Sequence, residues 1–300
     1  MDILDLIRCP SCGGPLHPET GCPGPGSLRC ATGHTFDVSK QGYVNLLPPG
    51  RASNQRSGDE AEMLRARRRF LSGGYYDRFS ETVSEMAGDI SGETVLFDLG
   101  SGDGYHTVRA AVNISQKHGC RVLALGFEAS KNGAAMGCRL AEELGLHSRK
   151  LFECPGNAGT EVHFLPANIF RLPAADRCAG LVLSMFAPIP WDEAGRVLLP
   201  GGKLIAVSAG PDHLIEMRKV LYDRVETNDF LPEAPAGFRP AGRVSDRYTI
   251  SVGNPGALGD LLKMTPHYYR ATAENRERLL RKDGMELTVD VNCTVFELEG

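Results

Sequence analysis

The sequence predicts an α/β fold, with a mainly parallel sheet covered by helices on both faces and a small metal-binding module at the N-terminus. Three observations carry this. From Thr94 onward apolar runs alternate with helical periodicity, the pattern of strand–helix–strand units. A glycine-rich run, Asp98-Leu99-Gly100-Ser101-Gly102-Asp103-Gly104, joins one such strand to the next helix. Four of the nine cysteines (Cys9, Cys12, Cys22, Cys30) fall in the first thirty residues, where even scattering places about one.

Residues 1 to 45 are rich in Cys, Gly and Pro and show no helical period. A core of that size needs a staple. Cys9-Pro10-Ser11-Cys12-Gly13-Gly14 sets two thiols in one tight turn, and three residues lie between Cys30 and His34. Cys9, Cys12, Cys30 and His34 make a closed Cys₃His set suited to structural zinc. In a chain without a basic, apolar leader the cluster reads as metal binding before disulfides. Cys22 lacks a partner at ligand spacing and is given no metal role.

Residues 46 to 90 read as a helical connector. After Leu47-Pro48-Pro49-Gly50 a helix is expected from Asp59 to Leu71, ended by Gly73-Gly74. It carries Arg65, Arg67, Arg68 and Arg69, which either contact phosphate or form a solvated face. The whole chain has 33 Lys+Arg against 37 Asp+Glu, a net charge of −4. Residues 29 to 70 nonetheless hold eight Lys/Arg and four Asp/Glu, so a basic surface exists within an acidic molecule.

Residues 91 to 300 form the third unit. Strands are expected at Thr94–Leu99, Arg121–Phe127, Val162–Leu165, Gly180–Phe186, Lys203–Ser208 and Glu286–Leu298. Helices are expected at Tyr105–Lys117, Ala129–Leu144, Pro211–Val225 and Ala257–Lys263. A loop rich in Pro, Gly and Arg fills the interval before the last helix. With 42% hydrophobic and 23% charged residues, composition excludes disorder and fibrous structure. No apolar run is long enough to span a bilayer, so a cytoplasmic protein without membrane contact is expected.

The glycine run has the spacing D-x-G-x-G-x-G. A dinucleotide fingerprint needs glycine at 105, where Tyr105 stands, and no Gly-Lys-Ser/Thr follows. The second strand ends in Gly126-Phe127-Glu128, a carboxylate suited to both ribose hydroxyls. Glycine loop and acidic strand end together resemble class I (Rossmann-like) S-adenosylmethionine methyltransferases. On that pattern Asp98, Gly100, Gly102, Asp103, Gly104 and Glu128 bind the cofactor, and Asn168 stands where the adenine is contacted.

The N-terminal sequence is more specific. Cys9-Pro-Ser-Cys12, Cys30-x₃-His34 and Thr35-Phe36-Asp37-Val38-Ser39-Lys40-Gln41-Gly42-Tyr43-Val44-Asn45-Leu46-Leu47 resemble the zinc region of the 23S rRNA guanine-N1-methyltransferases. The similarity runs through Gly74-Tyr75-Tyr76, Phe186-Ala187-Pro188, Leu199-Pro200-Gly201-Gly202 and Gly210-Pro211-Asp212-His213-Leu214, over nearly the whole chain. It implies a seven-stranded, mainly parallel sheet, a zinc module that recognises RNA, and a homodimer acting on a guanine of hairpin 35 in 23S rRNA. It also implies that Tyr76 and His213 contact the cofactor; from the residues alone they are a connector aromatic and a helix-start residue. Seventeen residues separate Cys12 from Cys30, more than the family pattern has. A second insertion lies near 149–160. Phe186, at a strand end beside the cofactor site, either stacks on a displaced guanine or packs in the core. No residue is identified as the general base. Two other readings are a small-molecule methyltransferase with a zinc module and an inactive zinc-dependent RNA-binding protein. The basic segment favours RNA over the first, and the intact glycines with Glu128 favour activity over the second.

Overall fold

A computed structural model describes residues 2–19, 26–48, 61–147, 159–227 and 231–300. Cys22, Asp59, Glu60, Pro49-Gly50 and residues 149–158 of the second insertion lie outside the described residues. The N-terminal module holds α1 (Ile3–Leu6) and three short antiparallel strands, β1 (His17–Pro18), β2 (Ser27–Arg29) and β3 (Thr35–Asp37). The Asp2 side chain accepts from Leu4 N at 3.0 Å, and Asp5 accepts from Asp2 N at 3.1 Å. This reciprocal cap closes the N-terminus of a helix of only four residues. Helices α2 (Ala61–Ser72) and α3 (Asp77–Met86) form the connector.

The remainder runs β4 (Thr94–Leu99), α4 (Tyr105–His118), β5 (Val122–Glu128), α5 (Lys131–Glu143), β6 (Thr160–Pro166), β7 (Ala179–Met185), α6 (Trp191–Val197), β8 (Leu198–Ala209) and α7 (Ile215–Leu221). It closes with β9 (Phe238–Val252), α8 (Pro255–Lys263), α9 (His267–Arg270), α10 (Ala273–Leu280) and β10 (Met285–Leu298). Seven strands form one sheet in the order β6-β5-β4-β7-β8-β10-β9. The first five are parallel; β10 runs antiparallel to both β8 and β9. The chain turns to opposite sides of β4 to make β5 and β7, which opens a crevice at the carboxyl end of β4.

One expectation is corrected and one is refined. The loop rich in Pro, Gly and Arg is largely β9, a 15-residue edge strand. Only one edge of it is hydrogen-bonded, and Arg239, Arg243 and Arg247 face water, so the apolar alternation that marks a strand is missing. The covering of the sheet is also asymmetric. Alternation along the strands sends Leu96, Val122, Ala124, Val162 and Phe164 to one face, under α3, α4 and α5. Val95, Phe97, Leu99, Leu123, Leu125, Phe127 and Leu165 point to the other. That second face is covered by α6, through Ala194 and Val197, and by the N-terminal module, whose Ile3, Leu6, Ile7, Leu16, Leu28, Val44 and Leu46 join the same core. Main-chain bonds fasten the two: Arg8 N to Pro173 O (2.8 Å), Ala175 N to Leu6 O (2.7 Å) and Leu46 N to Pro166 O (2.9 Å). No helix among the described residues is long and apolar enough to cross a membrane.

Candidate active site and metal centre

The module brings Cys9, Cys12, Cys30 and His34 together, with their donor atoms all within 4.8 Å of one another. Gly13 and Gly33, at φ +75° and +91°, form the two turns that expose the sulfurs. Cys12 Sγ lies 3.7 Å from Cys30 Sγ, and His34 Nδ1 lies 3.3 Å from Cys30 Sγ and 3.5 Å from Cys9 Sγ. A tetrahedral zinc with ordinary bond lengths requires edges of roughly 3.8 Å between sulfurs and roughly 3.6 Å from sulfur to nitrogen. The donor set therefore fits zinc and is closed, with no position left for substrate. The Thr32 hydroxyl, unnoticed in the sequence, sits 3.0 Å from Cys30 Sγ, 3.2 Å from Cys12 Sγ and 3.1 Å from His34 Nδ1. Its hydrogen bond holds the Cys30 thiol down, to about 5, and lowers that of Cys12, favouring the thiolates that bind metal.

The glycine loop leaves the carboxyl end of β4 in left-handed conformations at Gly100, Gly102 and Gly104 (φ +86°, +59° and +86°). Gly104 caps α4. A Cβ there would stand 2.5 Å from Phe164 Cζ and 2.7 Å from Gly137 Cα, so close packing and φ both require glycine. Glu128, at the end of β5, accepts from Gly102 N (2.9 Å) and Ser130 N (2.8 Å), which fixes its carboxylate beside the loop. Asp98 is fully buried. Its Oδ2 accepts from Thr107 Oγ1 at 2.5 Å, whereas Oδ1 has no partner. Burial, with the Glu128 charge adding to it, pushes the Asp98 carboxyl up to about 7.

These residues open into a cavity of about 1110 Å³. Asp98, Gly100, Ser101, Asp103 and Glu128 line it, and so do Tyr76 at the N-cap of α3, Phe186 just after β7 and His213 in the turn before α7. Tyr76 Oη lies 3.4 Å from His213 Nε2, while His213 Nδ1 accepts from Asp290 N at 3.3 Å. Burial pulls the His213 imidazole down to about 4, so it is neutral, and with Nδ1 accepting, the proton sits on Nε2. Tyr76 thus accepts from His213 and keeps its own O–H for the cavity. Phe186 follows β7 in a left-handed conformation, φ +53°, held by Phe186 N to Val207 O at 2.9 Å. It is 46% exposed, so it is not core packing. Its ring stands edge-on to Phe79 and 5.9 Å from that of His213.

Three buried polar atoms on the cavity wall lack a partner: Asp98 Oδ1, Ser101 Oγ and Ser208 Oγ. Buried polar groups are as a rule hydrogen-bonded, and three bare ones on one cavity wall shape the site for a polar ligand with several donors and acceptors. An α-ammonium fits Asp98 Oδ1, and a ribose diol fits Glu128, which agrees with S-adenosylmethionine.

The remaining expected site residues are differently engaged. Asn168 does not line the cavity; its Oδ1 accepts from Phe170 N at 3.0 Å and shapes the turn after β6. Asp103 is buried and paired with Arg68 Nε at 2.5 Å, and Arg68 also donates to its carbonyl. Arg69 grips Asp260 at 2.6 and 2.9 Å, and Arg65 pairs with Glu62 at 3.0 Å. The arginines at 65, 68 and 69 are thus engaged by carboxylates. Arg67 faces the cavity, its Nη1 2.7 Å from where a Gly102 Cβ would stand. His106 lines the cavity too, bonded through Nδ1 to Ser80 Oγ at 3.1 Å and held neutral by burial, at about 3. Nothing in the sequence marked it.

Comparison with known proteins matches residues 7–53 to a zinc-ribbon family model described as RlmA, N-terminal. A Micromonospora griseorubida protein, provisionally described as a 23S rRNA (guanine-N1)-methyltransferase, is 33% identical over 84% of this chain and 83% of its own. A 23S rRNA (guanine(748)-N(1))-methyltransferase of Streptomyces fradiae is 30% identical over 98% of this chain and 97% of its own. A Bacillus subtilis protein of the same provisional description is 29% identical over 97% of each.

Proposed function

The chain belongs to the 23S rRNA (guanine-N1)-methyltransferase family, and from that membership we propose that it methylates N1 of a guanine in hairpin 35 of 23S rRNA with S-adenosylmethionine. The observation that carries the reading is one cavity in which the partnerless Asp98 Oδ1 and Glu128 meet a half-exposed Phe186, in a chain that also holds a closed Cys₃His centre.

Asp98 would hold the cofactor's ammonium and Glu128 its ribose, while Gly100 and Gly102 let backbone approach without a Cβ in the way. When bound, the cofactor supplies a methyl group on a sulfonium, activated for in-line displacement. The protein's part is alignment and exclusion of water. Phe186 offers a face on which a displaced guanine stacks. Its strained backbone is the kind of local cost that persists at functional positions. Guanine N1 carries a proton that must pass to water as the methyl arrives. Deprotonation at N1 shifts negative charge toward O6, and the Tyr76 O–H, oriented by the proton on His213 Nε2, is a neutral donor available to that charge. The zinc centre is remote from this chemistry by its closed ligand set and serves the fold of the module that covers the sheet.

The test is mass spectrometry of hairpin 35 from cells with and without the gene. Loss of one methylguanine, restored in vitro by purified protein and S-adenosylmethionine, is the expected result. Unchanged hairpin 35 modification would refute the assignment.

A further inference from the structure

Charge is unevenly distributed around the cavity. Asp98, Asp103 and Glu128 gather where the glycine loop leaves β4 and β5. Another stretch of the wall, from α7 through the segment after it to α9, carries Arg218, Arg224 and Arg270. Arg218 is 7% exposed. Its guanidinium donates only to main-chain carbonyls: Pro211 O at 2.9 Å, His213 O at 3.4 Å and Glu226 O. Arg224 and Arg270 are exposed, and none of the three pairs with a carboxylate among the described residues. Among the described residues that line this stretch Glu226 is the one acid, and it meets Arg218 through its carbonyl. A buried guanidinium held by carbonyls alone has its donors satisfied but its charge uncompensated, an arrangement completed by an anion.

We infer that Arg218, Arg224 and Arg270 form a phosphate-binding wall that holds the RNA backbone flanking the target guanosine. The inference rests on the rRNA reading above. Position supports it. His213, whose carbonyl meets Arg218, has its ring 5.9 Å from that of Phe186, so the wall begins one residue away from the proposed stacking face. The neighbouring aromatic groups are neutral: Tyr222 Oη bonds to His267 Nδ1 at 2.9 Å, and burial with the charges of Arg218 and Arg270 keeps His267 down, at about 4. The wall's positive charge is therefore that of its arginines. Three arginines of α2 are poorer candidates, because Arg65, Arg68 and Arg69 are each held by a carboxylate. A cofactor carboxylate is the other anion that this chemistry could receive, and the experiment separates the two.

The test uses full-length zinc-loaded protein with Arg224→Ala/Arg270→Ala, both on exposed side chains, and a transcript of hairpin 35. Binding is measured across salt, cofactor affinity by calorimetry, and methyl transfer in parallel. Each lost phosphate contact lowers the slope of log K against log salt by about 0.7 to 0.9. The double variant is expected to lose about 1.4 to 1.8 from that slope. Between about 50 and 200 mM salt its affinity should fall about tenfold less than that of the wild type. The Arg224→Lys/Arg270→Lys pair should keep most of the slope, and cofactor affinity should be unchanged in all. An unaltered slope overturns the wall. So does weakened cofactor binding with intact RNA binding, which would assign the arginines to the cofactor tail. A wild type that neither binds nor methylates the transcript sinks the rRNA reading itself, and the wall with it.

Discussion

Replacing Asp98 with asparagine should make the cofactor-free protein more stable at alkaline pH while abolishing its cofactor binding. Asp98 is fully buried, one oxygen bonded to Thr107 and the other bare. Its carboxyl titrates at about 7, against 3.8 for an ordinary aspartate. The native state therefore binds this proton more tightly than the unfolded chain does. Asp98 is harmless to stability below about pH 4, and its contribution worsens as pH rises, until the penalty is complete above about 7. At about 1.4 kcal/mol per pH unit the gap corresponds to about 4 kcal/mol. The amide keeps an acceptor for Thr107 and cannot ionise, so it escapes this cost. Urea unfolding of both proteins at pH 5, 6, 7 and 8, without cofactor, should give curves that diverge with rising pH, the variant ending several kcal/mol more stable. Saturating S-adenosylmethionine, whose ammonium would meet the ionised Asp98, should then raise the wild type and leave the variant unmoved. Parallel pH profiles, or a variant that binds cofactor as tightly as the wild type, would refute the reasoning.

Gly104→Ala should cost about 2 to 5 kcal/mol, combining the left-handed backbone with the contact on Phe164 and Gly137; a thermal midpoint within about 1 °C of wild type would contradict this. Phe186→Ala should leave the melting temperature and cofactor affinity nearly unchanged and reduce kcat on rRNA by at least tenfold, with Phe186→Tyr retaining most of the rate. Chelation, or Cys9→Ser, should remove one zinc per chain by metal analysis and lower the midpoint of the whole molecule in calorimetry. An untouched main transition would show that the module melts independently.

The parts of this fold with strong periodicity were legible in the sequence. Strands β4, β5 and β7 are buried on both faces and read as continuous apolar runs. Cys9, Cys12, Cys30 and His34 were readable because ligand geometry constrains spacing. Strand β9 was not, because its exposed edge carries arginines where a core strand carries valines. The cavity's acidic side was legible for the same reason as the zinc: the glycine run and Glu128 stand at two adjacent strand ends, where Gly100 and Glu128 line the cavity. Its other side was not. Arg218 and His106 owe their positions to tertiary packing, and no local pattern distinguishes them from surface residues. The arginines of α2 were conspicuous as a run, yet Asp103 and Asp260, which engage Arg68 and Arg69, lie 35 and 191 residues away in sequence.

The N-terminal module covers Phe97, Leu125 and Phe127 as a helix layer would in a doubly wound sheet. It is consequently not an appendage that evolution or an engineer can exchange freely. Deleting residues 1–48 would strip one side of the sheet to water and leave an apolar plate prone to self-association. Grafting the ribbon onto another methyltransferase would require that enzyme first to lose whatever already occupies the same face. Metal supply also becomes a determinant of how much enzyme exists, since a chain that emerges without zinc lacks a well-formed cover for half of its own interior.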